Sequence, residues 1–386
     1  MISTRQSITK ELFELLPQAM QPCISIYMPT HRKHPENRQD PIVFKNMLTE
    51  LEQSLSIKYS KRDITSLLEP YKNLLDDNPF WNNTLDGLAI LSTLDFFQVF
   101  VFPMAVHELC IVADTFYLKP LRKYLQTADR YQVISISQNN IELFEGNRHG
   151  LDKITLDSEI PHNLTDALGN EVRGKHLTVA SYGGVGQESG AMHHGHGSKK
   201  DEAETDIERF LRIISKAIYE NYSKKSQLPL ILAAGEEYHP IFQQINKNPF
   251  LLTKGIEKNP ESLSVEDLTE QSWDIMKPHY TKKINDLSHE FHNLKAQNLA
   301  SDDIEEIAKA TILGSVRILC IESFRQIAGK INKETGNIEP GNLSDPETND
   351  LLEDIAQLVE QRGGTVMVLS KDDMPSTTGI VALFRY

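Results

Sequence analysis

Pro229-Leu230-Ile231-Leu232-Ala233-Ala234 is a short apolar run that is followed directly by Gly235. A run of this length beside a turn residue is typical of a buried strand. The segment before it carries apolar residues at spacings of three and four, which predicts an amphipathic helix. The stripe consists of Ile207, Phe210, Leu211, Ile214, Ile218 and Tyr222. A helix leading into a buried strand favours an α/β fold, with helices packed on the faces of a sheet.

Towards the N-terminus, a predicted hairpin supplies further strands. Tyr131–Ser137 and Ile141–Phe144 are apolar segments that flank Asn139-Asn140, a turn signal. A strand is also predicted at 176–180, and another at 251–256 beyond the central run. The middle of the chain therefore reads as one sheet-and-helix unit.

The flanking thirds also mix strands and helices. Ile24, Ile26 and Met28 alternate with polar residues, which predicts a strand that ends at Pro29. The last third begins with a long helical tract at 265–299. Helices are also predicted at 43–55, 62–75, 304–313 and 348–361, strands at 316–321, 365–369 and 379–384, and a turn at 335–337.

We therefore predict three α/β domains, each a mixed sheet with packed helices. Their predicted boundaries are 1–127, 128–262 and 263–386. A chain of 386 residues is long enough for two or three domains.

Bulk composition restricts the class of function. The formal net charge is −14, which argues against indiscriminate nucleic-acid binding but leaves room for a local basic site. Cys23, Cys110 and Cys320 are widely separated and do not form a disulfide framework. The first ten residues are polar, and no stretch has the length of an apolar membrane span. We expect a cytoplasmic protein with no membrane partner and no cofactor.

The outstanding feature is a loop at 183–198 that is rich in glycine and histidine. No packed element tolerates that density of glycine, so a functional loop is the favoured interpretation. Ser198 followed by Asp201 predicts the N-cap of the next helix. The loop is neither a P-loop nor a dinucleotide fingerprint. The glycines expected to supply its backbone N–H groups are Gly183, Gly184, Gly195 and Gly197.

Three histidines of this loop, His193, His194 and His196, allow two interpretations. Close imidazoles can bind a metal ion, but nothing in their spacing defines a dedicated site, and we predict no physiological metal. Histidine also serves as a proton shuttle or an RNA contact, because it titrates near neutrality. Lys199 and Lys200 add positive charge where the helix begins.

A second polar loop, His31–Arg38, follows the first predicted strand. It holds two histidines, two arginines and a lysine. Arg32 and Lys33 are candidates for phosphate or RNA contact, and a solvated surface turn is an equally good interpretation.

The order of elements resembles the archaeal and eukaryotic class-one release factors and their relative Pelota. The hairpin with Gly146-Asn147 is similar to the opening of their central domain, and Gly195–Ser198 falls where release factors carry Gly-Gly-Gln. The last third resembles their C-terminal domain, with Gly379–Tyr386 as its closing strand. Ile24–His31 and Asn37–Pro41 resemble a bacterial branch of this superfamily.

This resemblance implies a release-factor-like middle and C-terminal domain and a role in ribosome rescue or peptide release. It implies the ribosome, tRNA and rRNA as partners, together with a translational GTPase. The implied activity is hydrolysis of peptidyl-tRNA. The working groups would be Gln187, His193, His194 and His196, with Arg32, Lys33, Lys199 and Lys200 on RNA phosphates.

Two departures from the family pattern keep other functions open. The sequence has no contiguous Gly-Gly-Gln, because Gly183-Gly184-Val185-Gly186-Gln187 is interrupted. It also lacks the Asn-Ile-Lys-Ser tetrapeptide, so codon-specific termination is not expected. The alternatives are a non-catalytic Pelota-like module that binds RNA or the ribosome, and a metal-assisted nuclease or hydrolase that uses the histidine cluster.

Overall fold

The structure is a computed structural model that describes residues 22–126, 129–137, 139–168, 196–342 and 348–386, with only the backbone for 196–204. The chain divides into two compact units. One consists of Met1–Ala128 together with Thr281–Tyr386, and the other of Asp129–Tyr280. The predicted mixed α/β fold is confirmed.

The first segment of the larger unit forms an antiparallel sheet covered on both faces. The strand order is β3-β2-β1-β4. Alternation along β1 sends Ile24, Ile26 and Met28 to one core, and Cys23 and Tyr27 to the other. The elements are β1 (Cys23–Pro29), α1 (Asp40–Ser56), α2 (Lys61–Leu75), α3 (Asn78–Trp81), β2 (Gly87–Ser92), β3 (Phe97–Phe102), β4 (Leu109–Ala113) and α4 (Lys119–Leu125).

The second unit is built around one five-stranded sheet in the order β7-β6-β5-β8-β9. The predicted hairpin is confirmed as the antiparallel pair β5–β6, and β8 lies parallel to β5 on its other side. The elements are β5 (Tyr131–Ile136), β6 (Ile141–Asn147), β7 (Gly150–Ile154), α5 (Leu164–Leu168), α6 (His196–Ile218), β8 (Leu230–Ala234), α7 (Tyr238–Ile245), β9 (Ile256–Glu257) and the part of α8 (Val265–Lys295) up to Tyr280.

The two faces of this sheet bury different helices. Phe210, Leu211 and Ile214 of α6 pack into one core with β5, β6 and β8, as the predicted apolar stripe requires. Leu268 and Met276 of α8 pack on the other face. The strand predicted at 251–256 is shorter than expected. Leu251 forms only an isolated bridge, and pairing resumes at β9 after exposed residues.

The last segment of the larger unit carries two sheets. Their strand orders are β10-β16-β11-β15 and β13-β12-β14. Within the larger sheet, β11 pairs parallel with β15 and antiparallel with β16. The elements are β10 (Ala300–Ser301), α9 (Ile304–Ile312), β11 (Val316–Glu322), β12 (Ala328–Ile331), β13 (Ile338–Pro340), β14 (Asn349–Asp350), α10 (Leu351–Gln361), β15 (Thr365–Leu369) and β16 (Ile380–Phe384).

The helix predicted at 348–361 begins three residues later than expected. Asn349 and Asp350 form strand β14, which pairs with Gly329 and Ala328 of β12. Asp350 then caps α10, because its carboxylate accepts a hydrogen bond from the backbone N–H of Leu352. One aspartate therefore ends a strand and starts a helix.

Buried ion pairs join the first and last segments of the larger unit. The ammonium of Lys119, at the start of α4, is fully buried and donates to Asp350 Oδ2 at 2.5 Å. One turn later, the buried Arg122 donates to Glu353, and its Nε lies 3.0 Å from Glu360 Oε1. Charges this deep stay ionised only when they are paired and hydrogen-bonded, so α4 and α10 fix each other's positions.

We predict that removing one partner of this network destabilises the larger unit. Lys119→Met leaves the buried Asp350 without its cation, which costs about 3–5 kcal/mol of unfolding free energy. The measurement is the midpoint of urea denaturation.

Two variants control this experiment. Lys153→Met breaks the exposed pair with Glu142 and costs less than about 1 kcal/mol. Lys119→Met combined with Asp350→Asn removes both charges and recovers part of the loss. A Lys119→Met protein as stable as the Lys153→Met protein would contradict the prediction.

Asp354 of α10 adds a pH dependence to the same interface. Burial raises its pKa to about 6, against hydrogen bonds from Asn349 and Thr115 that lower it. Between about pH 4 and about pH 6 the folded state therefore holds a proton that the unfolded state has released. The contribution of this carboxyl group to unfolding free energy falls as the pH rises through that window.

We predict that Asp354→Asn gains stability relative to the parent protein as the pH rises from 4 to 7. The expected change in the difference between the two unfolding free energies is about 2–3 kcal/mol. Urea denaturation at several pH values measures it, with Asp372→Asn as an exposed control. A difference that is independent of pH would show the prediction to be wrong.

Candidate functional site

The predicted loop site falls mostly outside the described residues. Gly183, Gly184, Gln187, His193, His194 and Gly195 are all outside that part of the chain. His196, Gly197, Lys199 and Lys200 are described by their backbone, which is helical.

The junction between loop and helix lies earlier than predicted. The sequence placed His196, Gly197 and Ser198 in the loop, with Ser198 as the N-cap, whereas α6 includes all three. Glycine in a helix costs only about 1 kcal/mol relative to alanine. A 23-residue helix anchored by buried residues such as Phe210 and Leu211 can absorb that cost. Packing further along the helix thus overrides the local signal for a helix start at Ser198.

The edge of the sheet where the parallel strands β5 and β8 end carries several polar groups, and α/β sheets often bind ligands at such an edge. Ser137 Oγ donates to Glu261 Oε1 at 2.6 Å and accepts from the N–H of Asn140. The buried His239 has Nε2 within 3.3 Å of the carbonyl of Ala234 and 3.1 Å of that of Ile256. These polar groups hold the turn and the strand ends, and they do not form a nucleophile–base pair.

The metal interpretation finds no support in the described part of the chain. There, no group of three or more His, Cys, Asp and Glu side chains is placed to hold a metal ion. His193 and His194, on which that interpretation depended, lie outside it.

The second predicted site, the loop after β1, is fully described and rigidly anchored. Thr30 donates from its backbone N–H to the carbonyl of Asp86, and from its hydroxyl to the carbonyl of Leu85 at 2.8 Å. The hydroxyl of Thr84 donates to the carbonyl of His31. A short 3-10 helix, Glu36–Arg38, leads from this loop into α1. The turn before β2 therefore holds the start of the loop in place.

A buried carboxylate orients the first histidine of this loop. Asp40, in the first turn of α1, accepts from the backbone N–H of His31 at 2.9 Å, and its other oxygen lies 2.7 Å from His31 Nδ1. The Asp40 side chain is 2% exposed and that of His31 is 49% exposed. The imidazole is thus fixed from inside and presented to solvent. Asp40 is not among the residues predicted for this site, although it lies within Asn37–Pro41, the stretch that resembles the bacterial branch.

Arg32 and Lys33 are adjacent, but their surroundings differ. The guanidinium of Arg32 forms a bidentate ion pair with the carboxylate of Asp86, and both N···O distances are 2.8 Å. Lys33 is exposed and forms no ion pair with any residue that the structure describes. Arg38, further along the loop, is also exposed. Lys33 and Arg38 therefore carry the positive charge of this loop that carboxylates do not already neutralise.

Comparison with known protein families bears on the second unit. Residues 130–314 match the family model described as Bacterial archaeo-eukaryotic release factor family 3. The resemblance to a bacterial branch of the release-factor superfamily, predicted from the sequence, is confirmed over these residues. The match begins at β5, extends past α9 and includes the segment that leads into α6. The match therefore covers the whole region and not only the segment compared with Gly-Gly-Gln.

Solved structures similar to this chain are distant in sequence. Archaeal Pelota, from a model of ribosome-bound archaeal Pelota and ABCE1, is 12% identical with a TM-score of 0.39, covering 78% of this chain and 77% of its own. Dom34 of S. cerevisiae, a translation termination-like factor that interacts with Hbs1, is 12% identical with a TM-score of 0.34, covering 78% and 74%. The archaeal translation termination factor aRF1 is 13% identical with a TM-score of 0.23, covering 98% and 96%.

Two searches gave negative results. No curated protein matches the chain. Among the described residues, no helix has the length and apolar character needed to cross a bilayer.

Proposed function

We propose that this protein is a ribosome-associated factor of the release or rescue type. The observation that carries the proposal is the family match over residues 130–314, which encloses the Gly/His-rich loop and the helix α6 that follows it. In this proposal the loop reaches the peptidyl-transferase centre, and α6, packed on the sheet through Phe210 and Ile214, supports its C-terminal end.

The finer proposal concerns chemistry at the ester bond of peptidyl-tRNA. Hydrolysis needs a water molecule held in line and N–H donors for the oxyanion that forms. Gly195 and the neighbouring glycines permit close backbone approach, Gln187 would hold the water, and His193, His194 and His196 would move protons. The positive end of α6 favours the negative charge that develops there.

RNA contact is proposed for lysines of both predicted loop sites. Lys199 and Lys200 would contact tRNA or rRNA phosphates near the loop, and Lys33 would do so on the larger unit. Arg32 would contribute less, because Asp86 already neutralises its charge. A translational GTPase is the proposed protein partner, by analogy with the family.

We predict that the purified protein releases peptide from stalled ribosome–nascent-chain complexes. Gln187→Ala, or replacement of His193, His194 and His196 by alanine, slows release by about tenfold or more, since positioned groups contribute factors of this size or larger. The measurement is the fraction of peptide freed from tRNA with time. His162→Ala, an exposed histidine outside the loop, is the matched control.

Two results would count against hydrolysis. Binding to ribosomes without release, under conditions in which a known release factor works, would favour the non-catalytic module. Activity that is lost on chelation and restored by a metal ion would favour the metal-assisted alternative.

We also predict that Lys33 contributes an electrostatic contact to ribosome binding. Lys33→Ala weakens co-sedimentation with ribosomes and lowers the slope of log affinity against log salt by about 1, because one phosphate contact is lost. Lys58→Ala, which removes an exposed lysine elsewhere on the larger unit, leaves the slope unchanged. Equal slopes for the Lys33→Ala and parent proteins would refute this contact.

A further inference from the structure

The pair His31–Asp40 has a geometry that the release chemistry does not use. Its distances are 2.7 Å from Nδ1 to one carboxylate oxygen and 2.9 Å from the backbone N–H to the other. Both oxygens of a nearly fully buried carboxylate are thus directed at one residue whose ring is half exposed. Capping a loop requires only the backbone contact, so the second contact serves to orient the ring.

This orientation determines what the exposed side of the ring can bind. With Nδ1 donating its hydrogen to Asp40, a neutral imidazole presents Nε2 as an acceptor, and a protonated one presents it as a donor. No residue in the described part of the chain hydrogen-bonds to Nε2 of His31. A ligand hydroxyl suits this position in either protonation state, because it both donates and accepts.

The charges around the ring favour a polyanion that carries hydroxyl groups. The carboxylate of Asp40 is hydrogen-bonded to His31, and the carboxylate of Asp86 is paired with Arg32. The other ionisable side chains of the loop are Lys33, His34, Glu36 and Arg38. The two cations Lys33 and Arg38 outnumber the one carboxylate, Glu36. An RNA strand supplies both phosphates for the cations and a 2′-hydroxyl for Nε2.

We propose that the loop 30–39 is an RNA contact that senses the ribose. His31 Nε2 hydrogen-bonds to a 2′-hydroxyl, Asp40 positions the ring, and Lys33 and Arg38 neutralise adjacent phosphates. A 2′-hydroxyl distinguishes RNA from DNA at such a position. The inference rests on the proposed function, and it adds a specific ligand group and a second contact site outside the family match at 130–314.

The test compares two short single-stranded probes made only of A and C, one RNA and one DNA, so that they differ only at the 2′ position. Fluorescence anisotropy with the full chain gives the two affinities. We expect the parent protein to prefer RNA by about threefold to tenfold, the range that one net hydrogen bond supplies. His31→Ala removes the preference and leaves DNA affinity unchanged.

Two variants separate this role from general effects on the loop. His34→Ala, an exposed histidine of the same loop with no carboxylate partner in the described residues, keeps the preference. Asp40→Asn can accept only one of the two hydrogen bonds from His31, so it reduces the preference. Circular dichroism confirms that each variant is folded.

Several results would overturn the proposal. They are equal affinity of the parent protein for the two probes, no binding of either probe, and loss of the preference in His34→Ala to the same extent as in His31→Ala. Ribosome co-sedimentation of the same proteins tells the two proposals apart. Co-sedimentation without an RNA preference refutes only the ribose contact, whereas an RNA preference without co-sedimentation refutes only the ribosomal function.

Discussion

The larger unit depends on two cations of α4 that are buried against the carboxylates of β14 and α10. Lys119 has no exposed surface, so its ammonium must recover from the protein what it loses in hydration. It does so through Asp350 and through the carbonyl of Arg325, at 2.5 and 2.6 Å. Because an unpaired partner would be costly, neither segment can leave the other without exposing or neutralising these groups. Ionic pairing across 231 residues of sequence thereby joins the first and last segments of the larger unit.

This arrangement shows why local sequence patterns predicted the elements better than their association. Strand β8, the hairpin β5–β6 and the apolar stripe of α6 follow from periodicities within a few residues. The three-domain division remains a prediction, whereas spatial clustering groups the first and last segments. Lys119 and Asp350 look like ordinary surface charges in the sequence, and nothing local indicates that they meet. The same limit applies to β14, whose partner β12 replaces the first turn of the predicted helix.

The same limit applies to the candidate sites, because local patterns identified the loops but not the roles of their residues. Residue types and spacing were enough to select the loops at 31–38 and 183–198. They were not enough to assign roles within the first loop, because those roles depend on Asp40 and Asp86, which come from a helix start and from a distant turn. In the sequence, Arg32 and Lys33 are two adjacent cations that nothing local distinguishes. In the structure one is held by a carboxylate at 2.8 Å and the other is exposed.

The two aspartates also explain how an acidic protein can present a selective contact to RNA, as proposed. With a net charge of −14, the protein as a whole repels a polyanion, so affinity must come from a few placed groups. Asp86 neutralises the charge of Arg32, so the loop attracts phosphates less strongly and non-specific binding is limited. Asp40 uses both carboxylate oxygens to orient His31, whose proposed contact is with a single 2′-hydroxyl. Asp86 thus reduces the non-specific attraction of the loop for phosphates, and Asp40 fixes the direction of one hydrogen bond. Together they would favour recognition of a ribose hydroxyl over recognition of phosphate charge alone.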